Sequence, residues 1–376
     1  MSFKFLNNIN TSSASIITSN ASIGNLFVSG GNVGIGTTSP TYPLHVSGHV
    51  NLTGNLYQSG ILMQTSSKNR LINGSMLFDQ RNAGTSMTIT AGSAVAYTVD
   101  RWYASCTGAN VTVQRVAGTN GNVYATQITG AASNTGTLFG QRIESINCYD
   151  LVNQNVTVSL RVNSSSITSL TWKAYYANST DTWSSQTQIT TGTLTITSTD
   201  SPYSFTFNAG ANAANGISIE FSTGALLGSQ TITYQQIQLE PGTQATAFER
   251  RHPALELQLC QRYYEKSFDQ NTIPQSNSTS PTLIMSSGLT TNASYCYGYF
   301  NFTTYKRTYP TVYYYTYANS QTFSPTTSFR VPGASTNVTA TGVYDGSPAT
   351  CNGIKVEFNT GTAYSYYFNY VAVCEL

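Results

Sequence analysis

Between Asn155 and Val162, apolar Val156, Val158, Leu160 and Val162 alternate with polar Thr157, Ser159 and Arg161. Successive side chains of a strand point to opposite faces, so this period of two describes a strand with one buried and one wetted face. Comparable runs recur at Ser86–Thr90, Val111–Val116, Leu170–Tyr176, Thr193–Thr197, Tyr203–Asn208, Gly216–Ser222 and Thr231–Leu239, divided by turn-forming residues. Short strands at such spacing, with almost no helical period, predict a β-sandwich, and a jelly roll is the preferred form.

One segment breaks this pattern. Pro253 stands where its missing N–H is harmless, in the first turn of a helix expected to run on through Ala254–Glu265. Leu255, Leu259 and Tyr263 fall at i, i+4 and i+8 and form one apolar stripe. Beyond Ser267 the chain returns to strands rich in Tyr, Phe, Thr and Val, and Val371–Leu376 reads as the last of them.

The opening residues differ again. Gly24–Gly30 (GNLFVSG) returns as Gly54–Gly60 (GNLYQSG), with short apolar runs punctuated by Gly and Asn. A segment this thin cannot bury a core alone, and repeats of this kind gain stability by stacking on neighbours. The expected neighbours are sister copies of the same chain. Three regions follow: a shaft or attachment segment over 1–68, a jelly-roll domain over 69–251, and a short helix with a C-terminal β-sandwich tip over 252–376. The fold class expected is therefore all-β, an elongated trimeric fibre.

Composition narrows the partners. Only 9% of residues are charged, against roughly 25% in ordinary globular domains. The net charge of +2 is spread without a basic run, so the clustered Lys and Arg that a nucleic-acid groove requires are missing. No apolar run reaches the length of about 20 residues that a membrane-spanning helix needs. The opening MSFKFLNNINTSSASIITSN has no continuous apolar core, and no secretion signal is expected. Cys106, Cys148, Cys260, Cys296, Cys351 and Cys374 lack CxxC spacing and read as small buried side chains, with pairing among some of them left open.

Three stretches resemble known sequences. GNVGIGTTSP (residues 31–40), continuing through Tyr42–Val46, resembles the shaft found upstream of the endosialidase-type intramolecular chaperone in phage and large-virus fibre proteins. Asn69–Gly74 through Asp100-Arg101-Trp102-Tyr103 resembles the opening of a carbohydrate-binding-module-like jelly roll common in phage tail fibres. Gln238–Gly242, Ala245–Arg251, and Leu257 with Cys260–Tyr264 resemble its close. The resemblance implies a trimeric, host-facing fibre or spike of a virus particle. The charged, self-cleaving helical module that often follows such a shaft has no counterpart here, so autoproteolysis is not carried over.

Catalysis would need paired carboxylates, a Ser/His/Asp set or a metal cluster. The three histidines are His45, His49 and His252, and the first two lie in an extended Gly-containing segment, without the helical turn that would set residues four apart side by side. The fifteen acids are dispersed, and Asp100 beside Arg101 and Glu249 beside Arg250 and Arg251 read as structural charge pairs. No enzyme activity, metal or cofactor is expected. Sugar recognition wants flat aromatic faces beside hydroxyls and amides, and the chain holds 26 tyrosines. The candidate ligand contacts are Trp172, Trp183 and Tyr175 in the middle region, and Tyr313, Tyr315 and Tyr317, which alternation places on one face of a C-terminal strand. Trp102 is expected in the core.

The function expected is that of a virion structural protein, a tail fibre or spike at the virion surface, attaching to a host by binding a surface glycan. Its partners would be itself as a homotrimer, other virion proteins through the N-terminal segment, and the host glycan. The alternatives are a stand-alone lectin or adhesin and, less favoured, a polysaccharide-depolymerising tailspike.

Overall fold

The computed structural model describes residues 32–37, 39–48, 57–58, 61–62, 68–274, 283–286, 295–316, 328–329, 338–339, 351–359 and 365–376. The chain divides into two compact units, 1–64 and 65–376.

In the first unit, β1 (Val33–Ile35) and β2 (Leu44–Val46) pair in parallel, Val33 opposite Leu44 and Ile35 opposite Val46. Parallel strands cannot be joined by a two-residue turn, and the connection carries its own bonds: Asn32 Nδ2 donates to Pro40 O at 3.0 Å, and Thr41 N donates to His45 Nδ1 at 3.3 Å. Ile35 and Leu44 remain 55% and 62% exposed. Then β3 (Tyr57–Gln58) pairs antiparallel with β4 (Ile61–Leu62). The first copy of the repeat, all of the second except Tyr57 and Gln58, and His49 lie outside the described residues.

The second unit is built on twelve antiparallel strands. They are β5 (Met87–Ile89), β6 (Ala96–Tyr97), β7 (Tyr103–Thr107), β8 (Val111–Ala117), β9 (Tyr124–Thr129), β10 (Gly136–Ile143), β11 (Asn155–Ser164), β12 (Ser169–Ser179), β13 (Thr182–Thr195), β14 (Ser201–Asn208), β15 (Ile217–Thr223) and β16 (Thr231–Pro241). One sheet runs β13-β12-β15-β10-β7-β6, the other β14-β11-β16-β9-β8-β5. Apart from the pairs β6–β7, β8–β9 and β12–β13, the chain changes sheets at each connection, so most sequence neighbours face each other across the core, the connectivity of a jelly roll. Val156, Val158, Leu160 and Val162 all face inward, as their alternation requires. Phe139 stacks on Trp102 on one side and Tyr234 on the other, at centroid distances of 5.0 and 4.9 Å, joining the two sheets. The all-β sandwich expected from the strand pattern is the fold observed.

Helix α1 (Pro253–Gln261) starts as its sequence demands, with Pro253 in the first turn and His252 Nδ1 accepting from Ala254 N at 3.2 Å. Its inward face corrects the expected stripe at Leu255, while Leu259 and Tyr263 do pack inward. Leu255 is 45% exposed, while Glu256 and Cys260 are buried. Glu256 accepts from Asn73 N and pairs with Arg251 at 3.3 Å, so the helix docks through a buried carboxylate as well as through Leu259, which packs with Ile72, Cys260, Tyr263 and Leu376. Helical structure also ends at Gln261, short of the expected Glu265, and the chain turns directly into β17 (Tyr264–Lys266).

Further on come β18 (Leu283–Ser286), β19 (Tyr295–Asn301), β20 (Thr311–Thr316), β21 (Ser328–Phe329), β22 (Val338–Thr339), β23 (Gly353–Asn359) and β24 (Ser365–Val373). β24 pairs with β17, β18 and β20, while β19 pairs with β23 and β21 with β22. The chain's last residues return to the sandwich: Tyr97 Oη and Arg142 Nη1 both donate to Leu376 O at 2.6 Å, and Glu375 pairs with Arg81 at 2.9 Å and with Arg101. Position 251/252, expected as a domain boundary, thus lies within one compact unit. Cys106, Cys148, Cys260 and Cys374 are buried free thiols, and Cys351 is a half-buried one.

Candidate binding cleft

Of the six aromatic residues singled out by sequence, the five that lie among the described residues do not converge. Trp172 is 8% exposed and stacks on Phe205 with centroids 3.8 Å apart, 11° from parallel. This corrects its expected role as an exposed platform. Along β12, Leu170, Trp172 and Ala174 share the inward face, so alternation drives the indole into the core. Trp183 is half-buried, beneath the Arg142 guanidinium at 5.3 Å, and packs on the cluster of Ile72, Cys260, Tyr263 and Leu376. Tyr175 is half-buried on the outer face of its sheet, opposite Ser218 and Gln188. Tyr313 is 40% exposed, but Tyr315 is 6% exposed, edge-on to Phe268 at 5.3 Å. Tyr315 is therefore a packing residue, because Phe268 covers that part of the strand face. Tyr317 lies outside the described residues.

A different set of residues forms a cleft of about 340 Å³ on the outside of the other sheet. Its floor follows from strand register. Ser159 and Arg161 are the outward residues of β11, and on β14 they stand opposite Ser204 and Pro202, with Tyr203 opposite Leu160. Gln236 enters through an irregularity in β16. Ser159 pairs with Gln238 and Arg161 with Gln235, so two residues of β16 face one of β11. Gln236 takes up the extra length at φ +50°. A bulge of this kind re-aims a side chain, and here it brings Gln236 into the cleft wall.

The opposite wall is the segment Ala245–Phe248 that follows β16. It is pinned by its own polar groups. Thr246 N and Oγ1 donate to the two oxygens of Glu240 at 2.8 and 2.6 Å, Lys68 Nζ donates to Ala247 O at 2.8 Å, and Glu249 N donates to Gln238 Oε1 at 2.7 Å. These bonds hold the half-buried Phe248 ring in the wall, with the Arg250 guanidinium 5.9 Å from its centroid.

Charge in the cleft is balanced. Arg161 Nε donates to Asp200 Oδ2 at 3.0 Å and its Nη2 to Asp200 O at 2.9 Å. The same Oδ2 accepts from Thr119 Oγ1 at 2.7 Å, from Gln235 Nε2 at 2.9 Å and from Asn120 Nδ2. Burial alone would raise this carboxyl, but the donors from Thr119, Arg161, Asn120 and Gln235 outweigh it and hold Asp200 below the ordinary carboxylate value. Lys68 faces Glu240 at 3.6 Å. The lining thus offers hydroxyls from Ser159 and Ser204, an amide from Gln236, a guanidinium edge, and the apolar surfaces of Phe248 and Pro202, while the Tyr203 ring packs on the core and the Thr246 hydroxyl is held by Glu240. Such groups stack and hydrogen-bond. Among the described residues no cluster of three or more His, Cys, Asp or Glu could hold a metal ion, and no helix is long and apolar enough to cross a membrane.

A second cleft, of about 310 Å³, lies on the first sheet among Ser105, Thr107, Thr135, Thr137, Leu138 and Thr223. Its hydroxyls are largely spent on one another: Thr135 donates to Thr107 at 2.8 Å, and Thr137 and Thr223 share a bond of 2.7 Å.

Sequence reasoning missed Gln236, Phe248 and Asp200. The one signal available was Arg161, the single charged residue on the outward side of the most regular strand.

No protein-family model matches the chain. No curated protein matches it in sequence. Among solved structures it is similar to a CBM4 structure at 16% identity, covering 45% of this chain and 98% of the other with a TM-score of 0.29. It is similar to the family 11 carbohydrate-binding module of Clostridium thermocellum, in complex with a β-1,3-1,4-mixed-linked tetrasaccharide, at 13% identity, with 43% and 98% covered and a TM-score of 0.29. It is also similar to the enzymatically active domain of tailspike protein 4 of bacteriophage CBA120 at 12% identity and a TM-score of 0.31, where the match covers 46% of this chain and 22% of that one.

Proposed function

We propose that this chain is a virion structural protein, a tail fibre or spike, that attaches to a host surface by binding a glycan in the cleft between β11, β14, β16 and the 245–248 segment. The observation that carries this reading is the lining itself. An aromatic ring and a proline face stand beside two hydroxyls and an amide, the pairing that the apolar face and the hydroxyl rim of a pyranose call for. A chain with 9% charged residues suits such a neutral contact.

The protein is proposed to act without catalysis and to assemble as a homotrimer through its N-terminal segment, which also joins it to other virion proteins. Supporting assembly, β1 and β2 are three residues each and leave Ile35 and Leu44 exposed. An isolated two-stranded element is marginal in water, and sister chains would cover those side chains.

A glycan array probed with the intact oligomer tests the attachment reading. Binding to a defined set of saccharides, lost in Phe248→Ala at unchanged melting temperature, is the expected result; wild-type protein that ignores every saccharide would remove it. Light scattering tests the assembly, where a monomer at micromolar concentration is the contrary outcome.

A further inference from the structure

The cleft contains a guanidinium, yet Arg161 is not free to act as a cation. Its Nε and Nη2 are both committed to Asp200, while Nη1 has no partner among the described residues. The carboxylate opposite is fixed independently of Arg161, because Thr119, Asn120 and Gln235 place three neutral donors on the same oxygen. Asp200 therefore stays ionised and stays in place, and Arg161 is oriented with one N–H edge left over.

From this geometry we infer that Asp200 sets the charge selectivity of the cleft, compensating the charge of Arg161 so that it serves as a hydrogen-bond donor without net attraction for anions, and directing the site to uncharged sugars over uronic or other acidic ones. The inference rests on the glycan-binding reading of this cleft. A carboxylate-bearing sugar reaching Nη1 would meet the charge of Asp200 behind the guanidinium. It would have to give up its own hydration for a cation already compensated. A neutral ring or hydroxyl oxygen needs only the N–H, which remains available. The other cation bordering the cleft, Lys68, is likewise matched by a carboxylate, Glu240. Arg250 is not part of the lining, but its guanidinium stands 5.9 Å from the Phe248 ring centroid, so its attraction for an anion is screened by salt and is the same in wild type and in a variant at Asp200.

The test uses the intact protein with two soluble oligosaccharides of matched linkage and length, one of neutral hexoses and one of hexuronates, titrated calorimetrically at low and at physiological salt. Wild type is expected to bind the neutral chain at least about ten-fold more tightly. Asp200→Asn leaves Arg161 uncompensated and is expected to raise hexuronate affinity until the ratio closes or inverts, a change that a purely structural role for Asp200 would not produce. Should Asp200→Asn fail to fold, the wild-type ratio still decides, together with Arg161→Gln. That variant removes the cation and leaves Asp200, so it should weaken neutral binding and improve hexuronate binding not at all. Preference of wild type for the hexuronate, or a folded Asp200→Asn with an unchanged ratio, overturns the inference while leaving glycan binding standing. Binding of neither oligosaccharide, nor of any saccharide on the array, removes the glycan reading and this inference with it.

Discussion

Gly192 of β13 stands directly opposite Trp172 of β12, and a Cβ at that glycine would come within 2.7 Å of the indole ring. The missing side chain makes room for the stack of Trp172 on Phe205 that bridges the sheets. Gly192→Ala forces the ring or the strand to move, and overpacking of this kind costs about 1–3 kcal/mol. Chemical denaturation should show that loss together with a change in tryptophan emission. An unperturbed midpoint would mean that the edge strand yields freely.

The helix face offers a contrast between neighbours. Leu255→Ser alters an exposed position and should change stability by no more than about 0.5 kcal/mol. Glu256→Ala strips the acceptor from Asn73 N and the partner from Arg251, both held in the interface with the sandwich. That change should cost about 1–3 kcal/mol. Thermal melts of the two variants check the inversion of the order that hydrophobicity alone would give.

Lys306 and Glu265 form an ion pair that is almost wholly buried, with 0% and 2% of their side chains exposed. Burial pulls Lys306 down from the usual lysine range despite Glu265. Glu265 also accepts from Thr303 N and Tyr370 Oη, each at 2.9 Å. Lys306→Met leaves that carboxylate without its cation, a loss of about 3–5 kcal/mol. The double variant Lys306→Met/Glu265→Gln should recover part of it, since the neutral amide no longer requires a counter-charge. Urea midpoints of both variants provide the measurement.

Asp100 gives the molecule an unusual pH dependence. Burial pushes its carboxyl up to about 6, against the pull of Arg81 and of Gln80, which donates its N and Nε2 at 2.9 and 2.6 Å. Between the ordinary carboxylate value and 6 the folded state holds a proton that the unfolded chain has lost. Stability from this group therefore falls as pH rises through that window, by about 3 kcal/mol for a shift of about two units. Asp200 and Glu144, whose carboxyls are held low, act oppositely and lose stability as pH falls through their folded values. Unfolding measured at pH 4, 5, 6 and 7 should show a flatter profile between pH 4 and 6 for Asp100→Asn than for wild type.

The strands that sequence found are those where one face is core and the other is wet. Val111–Ala117, Asn155–Ser164, Ser201–Asn208 and Thr231–Pro241 all begin within two residues of their expected starts. The strands it missed, Tyr103–Thr107, Tyr124–Thr129 and Gly136–Ile143, have no such alternation. Tyr103, on the outer face, is fully buried, lying across Gly140 to reach Ser218 at 2.7 Å and Glu220 at 3.0 Å. Polar Gln141 is buried as well, its amide bonded to both backbone groups of Ile72. With both faces covered, polarity stops reporting direction.

Local sequence settled that this chain would be β, where many of its strands would lie, and that Pro253 would open a helix, because backbone geometry ties side-chain direction to residue spacing over a few positions. Which aromatic rings are buried and which border a cleft was decided only by tertiary structure. Arg161, Pro202, Gln236 and Phe248 come from four separate segments, and a bulge, a strand register and a pinned loop bring them together. The physical reason is range: alternation acts between neighbours, whereas a binding surface depends on which distant segment arrives to cover, or to leave open, each face.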